Sequence, residues 1–293
     1  MPALSLALVI LAGLIHAVWN IVAKKAGGDV RFATFTGVLM ALIWAPVGIW
    51  LGWDVLPTWG RLEWGFVVVS GILHVLYYIA LLRGYRKADL TVVYPLARGS
   101  GPLLSSLVAI VVLGEQITAF GIAGIFAVVA GVFFIAGGKG LFRAAHDPAK
   151  QGGIRKGMFY GLVTGVFIAS YTVVDGCAVK FVLMSPILLD YYGNFARLVL
   201  LLPTVLRDRV TAAQHWRRQW KHALVVAAIS PIGYVLVLYA MKGAPLSHVA
   251  PAREVSMLFA ALIGGQLLGE RDRLARIAGA ALIAFGIMAL ALG

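Results

Sequence analysis

Ten apolar runs follow one another along the chain with little between them, at 3–24, 32–52, 64–83, 90–113, 118–137, 157–179, 186–206, 220–241, 246–268 and 274–292. Each is close to the roughly 20 residues that an α-helix needs to cross the hydrocarbon core of a bilayer. Only helices or closed barrels satisfy their backbone hydrogen bonds in lipid, and runs of this length are helical. The expected fold is therefore all-α: a polytopic membrane protein of ten transmembrane helices. Composition agrees, with 61% hydrophobic and 13% charged residues. A soluble domain carries about twice that charged fraction. No stretch of the 293 residues is left over for a separate soluble domain.

The formal charge of +13 raises the question of nucleic acid. The basic residues gather in the connections between apolar runs rather than on one face, so no nucleic-acid partner is expected. A single cysteine, Cys177, excludes an intrachain disulfide. The N-terminal MPALSLALVILAGL lacks a basic n-region and reads as the first span rather than a removable signal peptide. Seven of the eight tryptophans (Trp44, Trp50, Trp53, Trp59, Trp64, Trp216 and Trp220) lie near span ends, as an interfacial belt requires. Trp19 lies deeper.

Sliding the chain by 155 residues aligns its halves without a gap. Leu113-Gly114-Glu115 falls on Leu268-Gly269-Glu270, and Ala97-Arg98 falls on Ala252-Arg253. Ile122-Ala123-Gly124 falls on Ile277-Ala278-Gly279, and Gly131 meets Gly286. Composition bias does not place Arg on Arg or Gly-Glu on Gly-Glu, so the register indicates a duplication. Residues 1–138 form one five-span repeat, 139–155 a basic linker and 156–293 the second repeat. An odd number of spans per copy means that the copies enter the membrane in opposite senses. Inverted repeats of this kind underlie many secondary carriers. The glycines at seven-residue spacing, Gly124/Gly131 and Gly279/Gly286, are expected to let helices approach closely.

Lys and Arg are distributed unevenly. Alternate connections, beginning with the first, hold 19 of them, and the other four connections hold Arg61, Lys180 and Lys242. The positive-inside rule then puts the 19 in the cytoplasm and both termini outside.

With ten spans in two inverted halves, Trp19-Asn20 and Lys24-Lys25 in span 1, Tyr94-Pro95 in span 4, and Leu-Gly-Glu closing spans 4 and 9, the whole chain resembles the EamA family of the drug/metabolite transporter superfamily. The resemblance implies a secondary carrier of the inner membrane, often an exporter of amino acids or other small metabolites. It implies that spans 1, 3, 4, 6, 8 and 9 line a central cavity while spans 5 and 10 pack outside. Many relatives are thought to have both termini inside, whereas the charge count here puts them outside.

Polar groups within spans are costly and need a partner or a wet cavity. His16, Trp19 and Asn20 share a helical face in span 1. The repeat-mate of Asn20 is Asp175, four residues from Tyr171. Span 3 carries His74, Tyr77 and Tyr78, and Tyr234 lies one position from the mate of Tyr78. Span 4 carries Tyr94, a Pro95 that can kink the helix, and Arg98, whose mate is Arg253. Pro95 aside, these twelve residues are the candidate substrate-cavity set. Interhelical packing is the competing role for the aromatic residues, and ion pairing for the arginines. A guanidinium can also bind a carboxylate in a bidentate fork. Glu254 is the candidate coupling-proton carrier, with a structural ion pair to Arg98, Arg253 or a histidine as the alternative; Asp175, His16 and His74 are the other titratable candidates. Glu115 and Glu270 read as interfacial or capping groups, and Arg197 and Asn194 as structural.

No HExxH, GxSxG, Walker A loop or Cys/His cluster is present, so neither enzyme activity nor a metal or other cofactor is expected. The expected partners are a small-molecule substrate, membrane lipid and, for coupling, protons. Monomer and homodimer are equally compatible. The leading reading is an amino-acid exporter, aromatic or broad-range neutral. The alternatives are a carrier of the same fold for nucleobases, sugars or organic cations and, more distantly, a membrane-embedded enzyme or receptor.

Overall fold

The computed structural model describes residues 1–88, 90–136, 151–268 and 273–293. Among them there is no strand. The helices are α1 (Ala3–Lys25), α2 (Val30–Ile43), α3 (Ala45–Gly52), α4 (Arg61–Lys87), α5 (Leu90–Val111), α6 (Ala119–Ile135), α7 (Gln151–Lys180), α8 (Pro186–Leu206), α9 (Arg209–Gly243), α10 (Leu246–Ala252), α11 (Val255–Leu268) and α12 (Arg273–Leu292). The ten apolar runs map onto these in order, with two runs each split in two. Among the described residues α1, α4, α7, α9 and the stretch Leu246–Ile263 across α10–α11 are long and apolar enough to span a membrane, and the bent pair α2–α3 makes a sixth. The outer surface is apolar, with Leu42, Phe126, Phe159, Val199 and Met288 all more than half exposed. The interior holds Asp175, Asn194, Arg253 and Glu254. That distribution inverts a soluble protein's and suits lipid as the solvent. The chain is a multi-pass membrane protein.

The packing obeys the repeat. Matching each span to its mate pairs α1 with α7, α2 with α8, α4 with α9, α5 with α10–α11 and α6 with α12. The contact of α1 with α9 then has its mate in α7 with α4, and that of α5 with α7 in α11 with α1. The contact of α2 with α9 is matched by α8 with α4, while α6–α12 and α2–α8 cross the pseudo-two-fold axis themselves.

The α6–α12 seam depends on the spaced glycines. A Cβ on Gly124 or Gly131 would lie 2.9 or 2.6 Å from the carbonyl oxygen of Gly286 or Gly279. The reciprocal distances, from Gly279 and Gly286, are both 2.7 Å. Position rises along one helix as it falls along the other, so the two run antiparallel, as inverted copies must. The obstructing atoms are backbone and cannot swing aside. Gly131→Leu is expected to cost about 1–3 kcal/mol or more through overpacking. Thermal unfolding in detergent measures this, and an unchanged midpoint would show that the seam is not close-packed.

Three departures from the apolar runs have local causes. The second span bends by 56° at Trp44, with Pro46 in the first turn beyond the break. α9 starts well before its apolar run, because Asp208 caps it through the Thr211 N–H at 3.1 Å and a basic amphipathic turn precedes the span. The ninth span breaks at Arg253-Glu254 after Pro251, where tight bonds run from the N–H groups of Glu254 and Met257 to the carbonyls of Pro251 and Glu254. Pro95 and Pro102, by contrast, lie within an unbroken α5.

Candidate functional site

The break in the ninth span delivers two charged side chains to the middle of the bundle. Arg98 of α5 reaches Glu254 at 2.8 Å and donates to the Ser256 hydroxyl at 3.1 Å. Glu254 is 1% exposed and Arg98 15%. The repeat-mate of Glu254 is Gly99, so the second arginine has no matching carboxylate. Among the described residues none lies within ion-pair distance of Arg253. Its guanidinium instead lies 5.9 Å from the centre of the Tyr171 ring and donates weakly to the Tyr171 hydroxyl at 3.5 Å. The Nε of Arg253 is buried with no hydrogen-bond partner.

Tyr171 continues into an aromatic group. His74 stacks on it at 4.1 Å, Tyr77 meets its edge at 5.7 Å, and Tyr234 meets the His74 ring edge-on at 5.5 Å. Beyond His74 sits Asp175, fully buried. The Tyr234 hydroxyl donates to Asp175 Oδ2, while Asp175 Oδ1 has no partner. His74 Nδ1 faces the Ser70 carbonyl at 2.9 Å and must therefore carry the hydrogen. That leaves His74 Nε2 pointing toward Asp175 Oδ2, 4.0 Å away.

The candidate residues thus divide. His74, Tyr77, Arg98, Tyr171, Asp175, Tyr234, Arg253 and Glu254 form one cluster drawn from α4, α5, α7, α9 and the α10–α11 break. His16 borders it, within electrostatic reach of both arginines. Tyr94 abuts it through a 3.2 Å contact of its hydroxyl with the Met257 sulfur. Trp19 meets His16 edge-on at 4.7 Å but packs against the cluster of Phe32, Ala223 and Val226. Asn20 is exposed and donates to the His16 carbonyl of its own helix. Tyr78 turns away to donate to the Asp29 carbonyl at 3.0 Å. Ser70 and Ser256 belong to the site but carry no signal in an apolar run beyond their spacing from His74 and Arg253. Arg197 is held by Asp190 at 2.7 Å within α8. An apolar cleft of about 180 Å³ between α2, α8 and α9, lined by Met40, Trp44 and Tyr239, lies outside this polar cluster.

Glu115 closes one end of the bundle. Gly114 adopts φ +69°, which glycine tolerates without penalty and which turns the chain out of α5. The Glu115 carboxylate then accepts from the N–H groups of Leu246 and Ser247, both at 2.8 Å, and from the Lys180 ammonium at 2.9 Å. It caps a helix 131 residues away and ties it to the end of α7. Burial raises its pKa, but the two backbone bonds and Lys180 outweigh that and hold it below the ordinary value. A carboxylate with a depressed folded pKa adds stability above its unfolded pKa of about 4.3 and loses it as pH falls through the folded value. At pH 7, Glu115→Gln is expected to lower amide-exchange protection of Leu246 and Ser247 about tenfold, the scale of a lost cap. The difference from wild type should vanish at pH values well below 4. Equal protection at pH 7 would exclude the latch. Glu270, its repeat-mate, lies outside the described residues.

Comparison with known proteins agrees with this architecture. A search of curated proteins finds no match. A solved structure titled "Crystal structure of protein" is similar over 98% of this chain and 97% of its own, with TM-score 0.73 at 15% identity, which shows a shared fold. The EamA-like transporter family model matches twice, at residues 3–137 and 155–292. The two matches end 155 residues apart, the same register in which the halves align. Together they span nearly all of the sequence, and the chain belongs to the EamA-like transporter family, whose members carry small solutes across membranes.

Proposed function

We propose that this protein is a secondary transporter of carboxylate-bearing small metabolites, with amino acids as the leading class, aromatic or broad-range neutral, and export as the direction. One observation carries the reading: two arginines stand at the centre with one carboxylate, Arg98 pairs with it, and the buried Arg253 is left without one. A charge buried without a partner is costly, and a substrate carboxylate would relieve it through charge-assisted bonds. The aromatic group of Tyr77, Tyr171 and Tyr234 suits a variable side chain. An organic-cation substrate is disfavoured by the surplus positive charge. Alternating access follows from the inverted repeats, which can exchange conformations about the shared centre. The 19-to-3 distribution of Lys and Arg supports an inner-membrane protein with both termini outside. Proteoliposomes loaded with labelled amino acids are expected to show saturable flux. Its absence for every amino acid would remove the substrate assignment.

Proton coupling fits the pair Asp175–His74 better than Glu254. Glu254 is already engaged by Arg98, at 2.8 Å. At the other pair, the Nε2 lone pair of His74 and an ionised Asp175 would repel, and one proton held between them removes the repulsion. The groups around the pair are Tyr171 on α7, Tyr234 on α9, the Arg197–Asp190 pair on α8 and Arg253. Asp175→Asn is expected to abolish the response of flux to an imposed pH gradient. A response retained in Asp175→Asn and lost in Glu254→Gln would return the role to Glu254.

A further inference from the structure

The basic turn that opens α9 builds a pocket apart from the central polar cluster. His215, Arg218, Gln219 and His222 recur at helical spacing and face the C-terminal end of α1. With Lys25, Ala26 and Gln214 they line a cavity of about 350 Å³, a size at which small-molecule sites begin. Gln219 fixes the geometry by donating to the Ala26 carbonyl at 3.0 Å.

The pocket is short of anions. The two acidic residues beside it are already engaged. Asp29 accepts from the Phe32 N–H at 3.0 Å, lies 3.5 Å from Arg31 and also faces His215 Nδ1 at 3.9 Å, so it serves that one imidazole; Asp208 caps α9 and meets Arg31 at 3.1 Å. Among the described residues no carboxylate lies within ion-pair distance of Lys25 or Arg218. Buried polar atoms around the same cavity also lack hydrogen-bond partners: His215 Nδ1, His222 Nδ1 and Gln219 Oε1. Gln219 is 7% exposed, so its unpartnered oxygen faces the cavity rather than bulk water. With His215 facing Asp29, it is His222, Lys25 and Arg218 that call for an anion, and Gln219 Oε1 calls for a donor. Trp216 and Trp220, both partly exposed, set this turn at the depth of an interface.

We infer that this pocket binds a phosphate group that also carries a hydrogen-bond donor. Two sources share that chemistry, the headgroup of an anionic glycerophospholipid and free phosphate. Basic pockets between spans at a membrane face are known headgroup sites.

The test uses the full-length protein purified in detergent and follows its melting temperature against added ligand, since binding to the folded state raises it by mass action. Phosphatidylglycerol is expected to raise it saturably, and phosphatidylcholine not to. In Lys25→Gln/Arg218→Gln the apparent Kd is expected to rise about thirtyfold, the effect of removing two basic contacts at a membrane surface. Both residues are exposed, so the fold should be unaffected. Arg61→Gln, in a different connection, should leave the response unchanged. Inorganic phosphate matching phosphatidylglycerol assigns the pocket to a soluble phosphate; phosphatidylglycerol alone assigns it to lipid. An equal response to phosphatidylcholine, an unchanged response in the double variant, or no response to either phosphate source overturns the site.

Discussion

Replacing Glu254 by leucine is expected to destabilise the folded protein by about 3–5 kcal/mol, the cost of stranding one partner of a buried ion pair. The stranded group is Arg98, 15% exposed, which cannot discharge itself because guanidinium stays protonated. Its remaining bond, to the Ser256 hydroxyl at 3.1 Å, is neutral, and its Nε has no partner. Arg98→Met should cost a similar amount by stranding the Glu254 carboxylate, which is 1% exposed. The double replacement Arg98→Met/Glu254→Leu should recover most of the loss, because two well-packed apolar groups avoid both desolvation penalties. Glu254→Gln keeps an acceptor for Arg98 and should fall between. Equilibrium unfolding in detergent supplies the four values. Independent, additive losses from the two single replacements would mean that the pair does not act as a unit.

That pair marks where the sequence stops being informative. The ten spans were legible because each is long and apolar, and the repeat because charged and glycine positions recur 155 residues apart. The glycines forecast the α6–α12 seam for the same reason: a small residue at fixed spacing has one main use between membrane helices. Which partner Glu254 takes was open among Arg98, Arg253 and the histidines. The choice depends on the break after Pro251, a tertiary event that local composition does not encode. Helical spacing also overstated the first span. His16, Trp19 and Asn20 lie at offsets of three and four, yet each offset turns the helix enough to aim His16 at the centre, Trp19 at Phe32 and Asn20 outward. Tyr77 and Tyr78 part in the same way, one joining Tyr171 and the other reaching Asp29. Glu115 reads as an interfacial or capping group, and its target at Leu246 and Ser247 depends on how the inverted copies pack together.

Arg253→Gln is expected to weaken binding of a carboxylate substrate about a hundredfold, on the scale of losing one member of a buried, charge-assisted pair. Arg253→Lys should recover only part, because an ammonium is a point charge without the planar fork. The decisive comparison varies the ligand as well as the protein. An amino acid and the amine lacking its carboxyl group should differ strongly in affinity for the wild type. In Arg253→Gln the two should bind almost alike, with the loss confined to the acid. If Arg253 only supports Tyr171, which its guanidinium overlies at 5.9 Å, both ligands should weaken together. The geometry favours the first outcome. The mate of Glu254 is Gly99, so duplication supplied a second arginine where the first repeat offers no second carboxylate. A structural arginine would be expected to keep a partner within the fold. Arg253 is 7% exposed with an unpartnered Nε, and the carboxylate of the proposed substrate would complete it.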